Sequence, residues 1–364
     1  MHVCLLCTEI FSWGKHGGFG RATRMIGREL VRRGLTVSAV IPLPRGSRHP
    51  VREQLDGMTV YGYPPHRTWS SQALYREVDA DIYHTEEPFI GTYLARRAMP
   101  HKAHVITFRD PRLFGDWMTE FLHPTRSRLQ VVTTSLYYDN PLVRHAVRHA
   151  DGWGAAAEFL REKAQRKYGG PVDPVFLPSP VTVPDSVEKA AVPTVCFLGR
   201  LDRVKRPQLF FELAARHPEF RFIAAGASQD DSFAQALFSD HEQPENLTLT
   251  GFIDQFSSDA LDRILSQCWI LVNTSAKEGL PNAFIEAAAY RCAILSALDP
   301  DGFTSKFGHL VTDGDYSTGL RTLLEGDRWK ALGTAGQAFV RRKFATDVVL
   351  DSHIEFYETA LRQA

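Results

Sequence analysis

Thr194-Val195-Cys196-Phe197-Leu198-Gly199-Arg200-Leu201-Asp202-Arg203-Val204-Lys205 passes without a break from an apolar, β-branched stretch into a glycine and a cationic loop. A short apolar run closed by glycine reads as a buried strand. Similar runs recur outward from it, at Arg221–Ala225, Leu247–Thr250, Ile270–Asn273 and Ala293–Ser296 on the C-terminal side. On the N-terminal side they recur at Val3–Cys7, Thr36–Ile41, Ile82–His84, Val105–Phe108, Val131–Thr134 and Gly152–Ala155. Helical patterns lie between most of these runs. Alternation of this kind implies parallel sheets with crossover helices, and here it occurs twice. Pro171, Pro174, Pro178, Pro180, Pro184 and Pro193 follow in quick succession, a linker composition. The expected architecture is therefore α/β, with two parallel-sheet domains, residues 1–180 and 181–344, facing a cleft. The segment from Ala345 carries Val348, Val349, His353, Ile354, Tyr357 and Leu361 at helical spacing and reads as a terminal helix.

Composition narrows the function. The chain has 364 residues, 44% hydrophobic and 23% charged, ordinary for a globular protein with ample core. A formal net charge of zero does not favour nucleic acid. Residues 1–180 carry 24 Lys+Arg against 17 Asp+Glu, and the remainder is correspondingly acidic. A basic half suits an anionic acceptor or a membrane surface, or complements the acidic half across the cleft. Five scattered cysteines form no disulfide framework, and the Cys4/Cys7 pair lies in an apolar run with no second pair to complete a metal site. The N-terminus lacks a basic region before a long apolar core, and no stretch approaches 18 apolar residues. Neither signal peptide nor spanning helix is expected; the expected location is cytoplasmic, with peripheral contact at the inner membrane face as the variant.

Two constellations carry chemistry. The strand at Thr194–Leu198 delivers Arg200 and Lys205 to the C-terminal edge of a parallel sheet, where open α/β sheets bind ligands. Guanidinium grips phosphate with two N–H groups and ammonium adds a point charge, so the pair suits a diphosphate; the alternative is two solvated loop cations. Lys277-Glu278-Gly279-Leu280-Pro281-Asn282-Ala283-Phe284-Ile285-Glu286 places one carboxylate in a loop and a second in the opening turns of a helix, with Asn282 as its N-cap. A helix start attracts phosphate, and acids on either side would hold hydroxyls. A nucleotide-activated sugar has that arrangement, whereas the plainer reading is two unrelated surface acids. Lys15-His16-Gly17-Gly18-Phe19-Gly20 precedes a helix over Arg21–Arg33, without the spacing of a dinucleotide fingerprint. Arg21, Arg24, Arg28 and Arg32 share one face of that helix, either solvated or meeting an anionic lipid or acceptor. His84 and Glu86 follow a strand end and, with Asp110, are candidates for acceptor binding; for His84 and Glu86 the alternative is a structural role.

In this order the landmarks resemble the family-4 retaining glycosyltransferases, whose GT-B fold pairs two Rossmann-like domains and returns a C-terminal helix to the first. The resemblance covers nearly the whole chain and is strongest over Thr194–Ser296. Gly199-Arg200-Leu201 followed by Lys205 resembles the family's phosphate-binding G-R-L-x-x-x-K, and Glu278 to Glu286 its E-x7-E donor motif. The resemblance implies transfer of a sugar from a nucleotide sugar, with retention and without a metal or other cofactor, to a sugar-containing or lipid-linked acceptor. It implies that Arg200 and Lys205 stabilise the leaving diphosphate, Glu278 holds sugar hydroxyls and Glu286 ribose hydroxyls. Gly17, Gly18, Gly279, Leu280 and Asn282 would line the donor, with Gly251 and Phe252 beside the nucleobase. Two departures stand out. Thr107-Phe108-Arg109-Asp110 has Arg109 where members carry a histidine, so Arg109 either meets a charged donor or acceptor or pairs with Asp110. Tyr290-Arg291-Cys292 has arginine where a small residue or glycine is common. A glycosyl phosphorylase, a nucleotide-sugar epimerase and a non-catalytic nucleotide-binding subunit remain as alternatives.

Overall fold

The computed structural model describes the chain except for residues 12, 16, 44–48, 123–126, 229–232, 234, 236 and 238–242. It divides into two units: Met1–Pro180 with Thr346–Ala364, and Val181–Ala345.

Unit 1 contains β1 (His2–Leu6), β2 (Ile10–Phe11), β3 (Gly14–Lys15), β4 (Thr36–Pro42), β5 (Arg52–Leu55), β6 (Met58–Tyr63), β7 (Ile82–Thr85), β8 (Ala103–Phe108), β9 (Gly152–Ala155) and β10 (Val175–Phe176). Eight of them form one sheet in the order β10-β9-β8-β7-β1-β4-β6-β5, while β2 and β3 pair apart. Every neighbour in the large sheet is parallel except β5 on β6. Side chains alternate across the central strand. Val3 and Leu5 pack with Ile26 and Leu30 of the helix Gly18–Arg32 and with Leu350 and Tyr357 of the terminal helix Thr346–Gln363. Cys4 and Leu6 pack on the other face with Tyr75 of the helix Ser71–Val78 and Leu94 of the helix Ile90–Ala98. Helices on both faces explain why these strands read as unbroken apolar runs. Each large apolar side chain so buried contributes about 1.5–3 kcal/mol.

Unit 2 is wholly parallel: β11 (Thr194–Leu198), β12 (Arg221–Ala225), β13 (Leu247–Gly251), β14 (Ile270–Asn273), β15 (Ala293–Ser296) and β16 (Gly308–Leu310), in the order β13-β12-β11-β14-β15-β16. From β11 the chain winds outward to β13, then returns to β14 and winds the other way. The order reverses between β11 and β14, the kind of position at which open α/β sheets bind ligands. Val195, Phe197, Phe210, Leu213, Phe222 and Trp329 belong to one core packed against this sheet.

Several expectations are corrected. Val131–Thr134 lies inside the helix Arg128–Tyr138, not in a strand. Ser127 caps that helix by accepting from the Gln130 N–H at 3.2 Å, a local signal that outweighs the four β-branched residues. The hairpin β5–β6 turns on Asp56-Gly57, both with positive φ (51° and 84°), a turn dipeptide that the apolar-run search passes over. Strand β10 forms within the proline-rich stretch, and β16 is three half-buried residues. Arg24 does not sit on a solvated basic face. It is buried, bonded through Nε to Asp56 at 2.6 Å, while Arg28 and Arg32 both pair with Glu29. Arg291 adopts φ 59° and bonds Gln337 Oε1 at 2.8 Å; that left-handed backbone is the physical reason a glycine suits the position.

Candidate functional site

Within unit 2 the two loops at the reversal point are fastened to each other. Arg206, in the left-handed region at φ 47°, donates from Nε to the Thr274 carbonyl at 2.6 Å and from Nη2 to the Ser275 carbonyl at 3.3 Å. Thr274 Oγ1 donates back to the Lys205 carbonyl at 2.6 Å, and the Ala276 N–H donates to the Val204 carbonyl at 2.8 Å. This double stitch fixes Lys205 opposite Glu278, and their side chains form an ion pair. Ser275 Oγ donates to the same Glu278 oxygen at 2.7 Å. Arg200 is about half exposed and pairs with Asp202 at 3.3 Å. Asp202 also accepts the Lys205 backbone N–H through Oδ1 at 3.1 Å.

The sheet edge beside these loops is bare backbone. Gly226, at φ 146°, donates to the Gly251 carbonyl at 3.0 Å, and the Gly199 N–H donates to the Ala225 carbonyl at 3.0 Å. A Cβ on Gly226 would lie 1.9 Å from the Gly199 carbonyl oxygen, so only glycine fits. Gly251 ends β13 at φ 70°, and Phe252 beyond it is exposed. The helix Asn282–Ala289 begins after Pro281, which holds the N-cap position; Asn282 is its first helical residue rather than the cap. Proline's fixed φ suits that entry and leaves no side-chain acceptor there. Gly279 and Leu280 lie half-buried in the preceding bend, and Glu286 is half-buried on the helix's second turn.

In unit 1, Gly17 is the N-cap of the helix Gly18–Arg32 and Gly18 its exposed first residue. Glu9 reaches this helix start and accepts the Gly20 N–H at 2.9 Å. Lys15 is described by its backbone alone, and His16 lies outside the described residues. Arg109 pairs with Glu86, not with Asp110: its Nε donates to Glu86 Oε2 at 2.6 Å, and its Nη1 donates to Ser179 Oγ at 2.7 Å. Both members of that pair are buried. Burial pushes the Glu86 carboxyl up, but the Arg109 charge and the neighbouring histidines hold it below the usual carboxylate range. His84 is fully buried between Tyr357 Oη and Thr107 Oγ1, each at 2.8 Å from a ring nitrogen. Burial lowers its pKa to about 4. His84 is thus satisfied at both ring nitrogens, whereas Glu86 is held through Oε2 and its buried Oε1 has no hydrogen-bond partner. Asp110 is half-buried and pairs with Arg112 at 3.3 Å and Lys163 at 3.6 Å. Glu87 takes φ 103° and accepts the backbone N–H groups of Arg109 and Asp110 at 2.7 and 2.8 Å. A non-glycine residue held in that region is a strained feature at the C-terminal edge of the sheet.

The chain brings together, at one strand-end crevice of unit 2, Arg200, Lys205, Glu278 and the glycine edge. Asp202, Ser275, Arg206 and Gly226 also shape this crevice but escaped the sequence reading. Among the described residues no group of His, Cys, Asp and Glu has metal-ligand placement, and no helix is long and apolar enough to cross a membrane.

Residues 183–317 match the family model described as Glycosyl transferases group 1. No curated protein sequence matches the chain. Among solved structures it is similar to sucrose-phosphate synthase from Thermosynechococcus elongatus, with TM-score 0.77 and 14% identity over 100% of both chains. It is also similar to Anabaena Alr3699/HepE in complex with UDP-glucose, with TM-score 0.70 and 13% identity over 99% of this chain and 100% of that one. S. aureus TarM, in a complex that includes UDP and alpha-GlcNAc-glycerol, follows with TM-score 0.68 and 12% identity over 98% and 99%. Two parallel-sheet α/β domains of this kind are the GT-B fold of glycosyltransferase structures.

Proposed function

We propose that the chain is a retaining glycosyltransferase that moves a sugar from a nucleoside-diphosphate sugar to an acceptor hydroxyl without a metal ion. The observation that carries this reading is the pairing of Lys205 with Glu278 on two loops locked together at the strand-order reversal. As the bond from sugar to phosphate breaks, negative charge builds on the diphosphate. Arg200 and Lys205 stand where it would be met, and each such donor contributes about 2–4 kcal/mol to the transition state. Glu278 takes the sugar hydroxyls and Glu286 the ribose hydroxyls, while the N–H groups of Gly279 and Leu280 and the helix start at Asn282 complete the phosphate side. The glycine edge admits the nucleotide closely, with Gly251 and Phe252 beside its base. Arg109, neutralised by Glu86, holds the β8 end in place rather than drawing an anionic sugar.

UDP and UDP-glucose in the similar structures make uridine nucleotides the first donors to test. The acceptor is taken to be sugar-containing or lipid-linked, by analogy with the family. Thermal unfolding with UDP, GDP, ADP and their sugars should show stabilisation by one nucleotide series, and Lys205→Ala or Glu286→Ala should abolish it. Absence of a shift with every nucleotide would remove the reading. Transfer that persists undiminished in excess chelator supports the metal-free mechanism, and loss of transfer refutes it.

A further inference from the structure

We propose that Asp202 and Glu278 are internal stand-ins for the donor, holding the phosphate-facing cations in the ligand-free chain and releasing them when the diphosphate arrives. The proposal rests on the donor-binding reading above. Each cation of the pair already has a carboxylate partner: Arg200 faces Asp202 Oδ2 at 3.3 Å, and Lys205 pairs with Glu278. Both carboxylates are better shielded than Arg200, with side-chain exposures of 19% and 16% against 48%. Neither is a loose surface acid. Asp202 is pinned by the Lys205 N–H and Glu278 by Ser275 Oγ.

A diphosphate competes with these acids for the same two cations, and its charge-assisted contacts are the stronger. The exchange has an order. Glu278 Oε1, held by Lys205 and Ser275, becomes available to sugar hydroxyls once Lys205 has moved to the phosphate. A nucleotide sugar replaces the lost ion pair with hydroxyls donating to Glu278. A nucleoside diphosphate without sugar breaks the pair and leaves Glu278 unmatched. Once the sugar has been transferred, Glu278 returns to Lys205 and helps to expel the product. Asp202 acts differently. It touches no sugar, so it weakens diphosphate and nucleotide sugar alike, as a positioning residue for Arg200.

Isothermal titration of the full chain with a nucleoside diphosphate and its sugar conjugate distinguishes the cases. Glu278→Gln is expected to bind the diphosphate up to about five-fold more tightly than the native chain, the range for losing one partly exposed ion pair, and to lose the preference for the conjugate. Asp202→Asn keeps an oxygen for the Lys205 N–H but loses the charge, and is expected to tighten both ligands equally. Lys205→Ala weakens both, and adding Glu278→Gln to it restores nothing. Unchanged or weaker diphosphate binding by both Glu278→Gln and Asp202→Asn, with the native chain binding normally, overturns the stand-in role and leaves the donor site intact. Failure of the native chain to bind any nucleoside diphosphate overturns the site and this role together.

Discussion

Replacing Glu86 with glutamine leaves the Arg109 guanidinium buried without its counter-charge. Breaking one side of such a pair typically costs about 3–5 kcal/mol, because the remaining ion is left uncompensated. Urea unfolding of Glu86→Gln should show a loss of that size, while Glu86→Leu combined with Arg109→Met should recover most of it. A single-variant loss below about 1 kcal/mol, the range of an exposed pair, would show the two groups to be solvated. The pair was hidden in the sequence for a geometric reason. Glu86 and Arg109 stand 23 residues apart and meet only because β7 and β8 are neighbours. Arg200, Lys205 and Glu278 were legible because each follows an apolar run by a few residues, and a strand end fixes where such residues emerge. Asp202 was not, since an acid within a basic loop looks the same whether it is solvated or pinned. Gly226 was an isolated glycine, and nothing in its neighbours announces that the Gly199 carbonyl will lie against it.

Along the elements, the terminal helix carries a pH dependence into unit 1. Burial lowers the pKa values of His84, His104 and His353 from 6.5 to about 4. Below pH 6.5 the unfolded chain binds a proton on each ring that the folded unit takes up only near pH 4. Their contribution is therefore complete above the upper value and is lost as pH falls toward the lower one, at up to about 1.4 kcal/mol per pH unit for each ring. Among the described residues His353 hydrogen-bonds only the Val349 carbonyl of its own helix, at 2.8 Å through Nδ1, so phenylalanine fits its role apart from that bond. Chemical unfolding of His353→Phe across this window should show a reduced slope; an unchanged slope would mean that the ring is already charged in the folded state. The helix itself was readable from its 3.6-residue spacing. The strand expected at Val131–Thr134 failed because a four-residue β-branched run does not distinguish strand from helix, and the Ser127 cap decided it. The β5–β6 hairpin failed in the opposite sense, since its outer strand alternates half-buried and exposed residues and offers no apolar run to find.

At the scale of the whole molecule, each unit has its own core, and the two perturbations address different units. The acid-sensitive histidines all lie in unit 1, and Arg200, Lys205, Glu278 and Glu286 all lie in unit 2. Calorimetry should resolve a transition that shifts downward between pH 6.5 and 4 and a second that a nucleoside diphosphate raises. At a hundred times the dissociation constant the ligand adds about 2.7 kcal/mol to the unit that binds it. One transition responding to both would show that the units melt together. The fold class was legible because two rounds of strand–helix alternation survive any error in a single element. The sheet orders, on which the crevice of unit 2 depends, are set by pairings that no local pattern records. The bridge between Val181 and Ala345, with the Val181 N–H on the Phe344 carbonyl at 2.9 Å, has a further implication. The chain enters and leaves unit 2 side by side, as in a cassette spliced into a host domain. Its cut ends would already touch, so the segment is suited to excision as a free-standing piece.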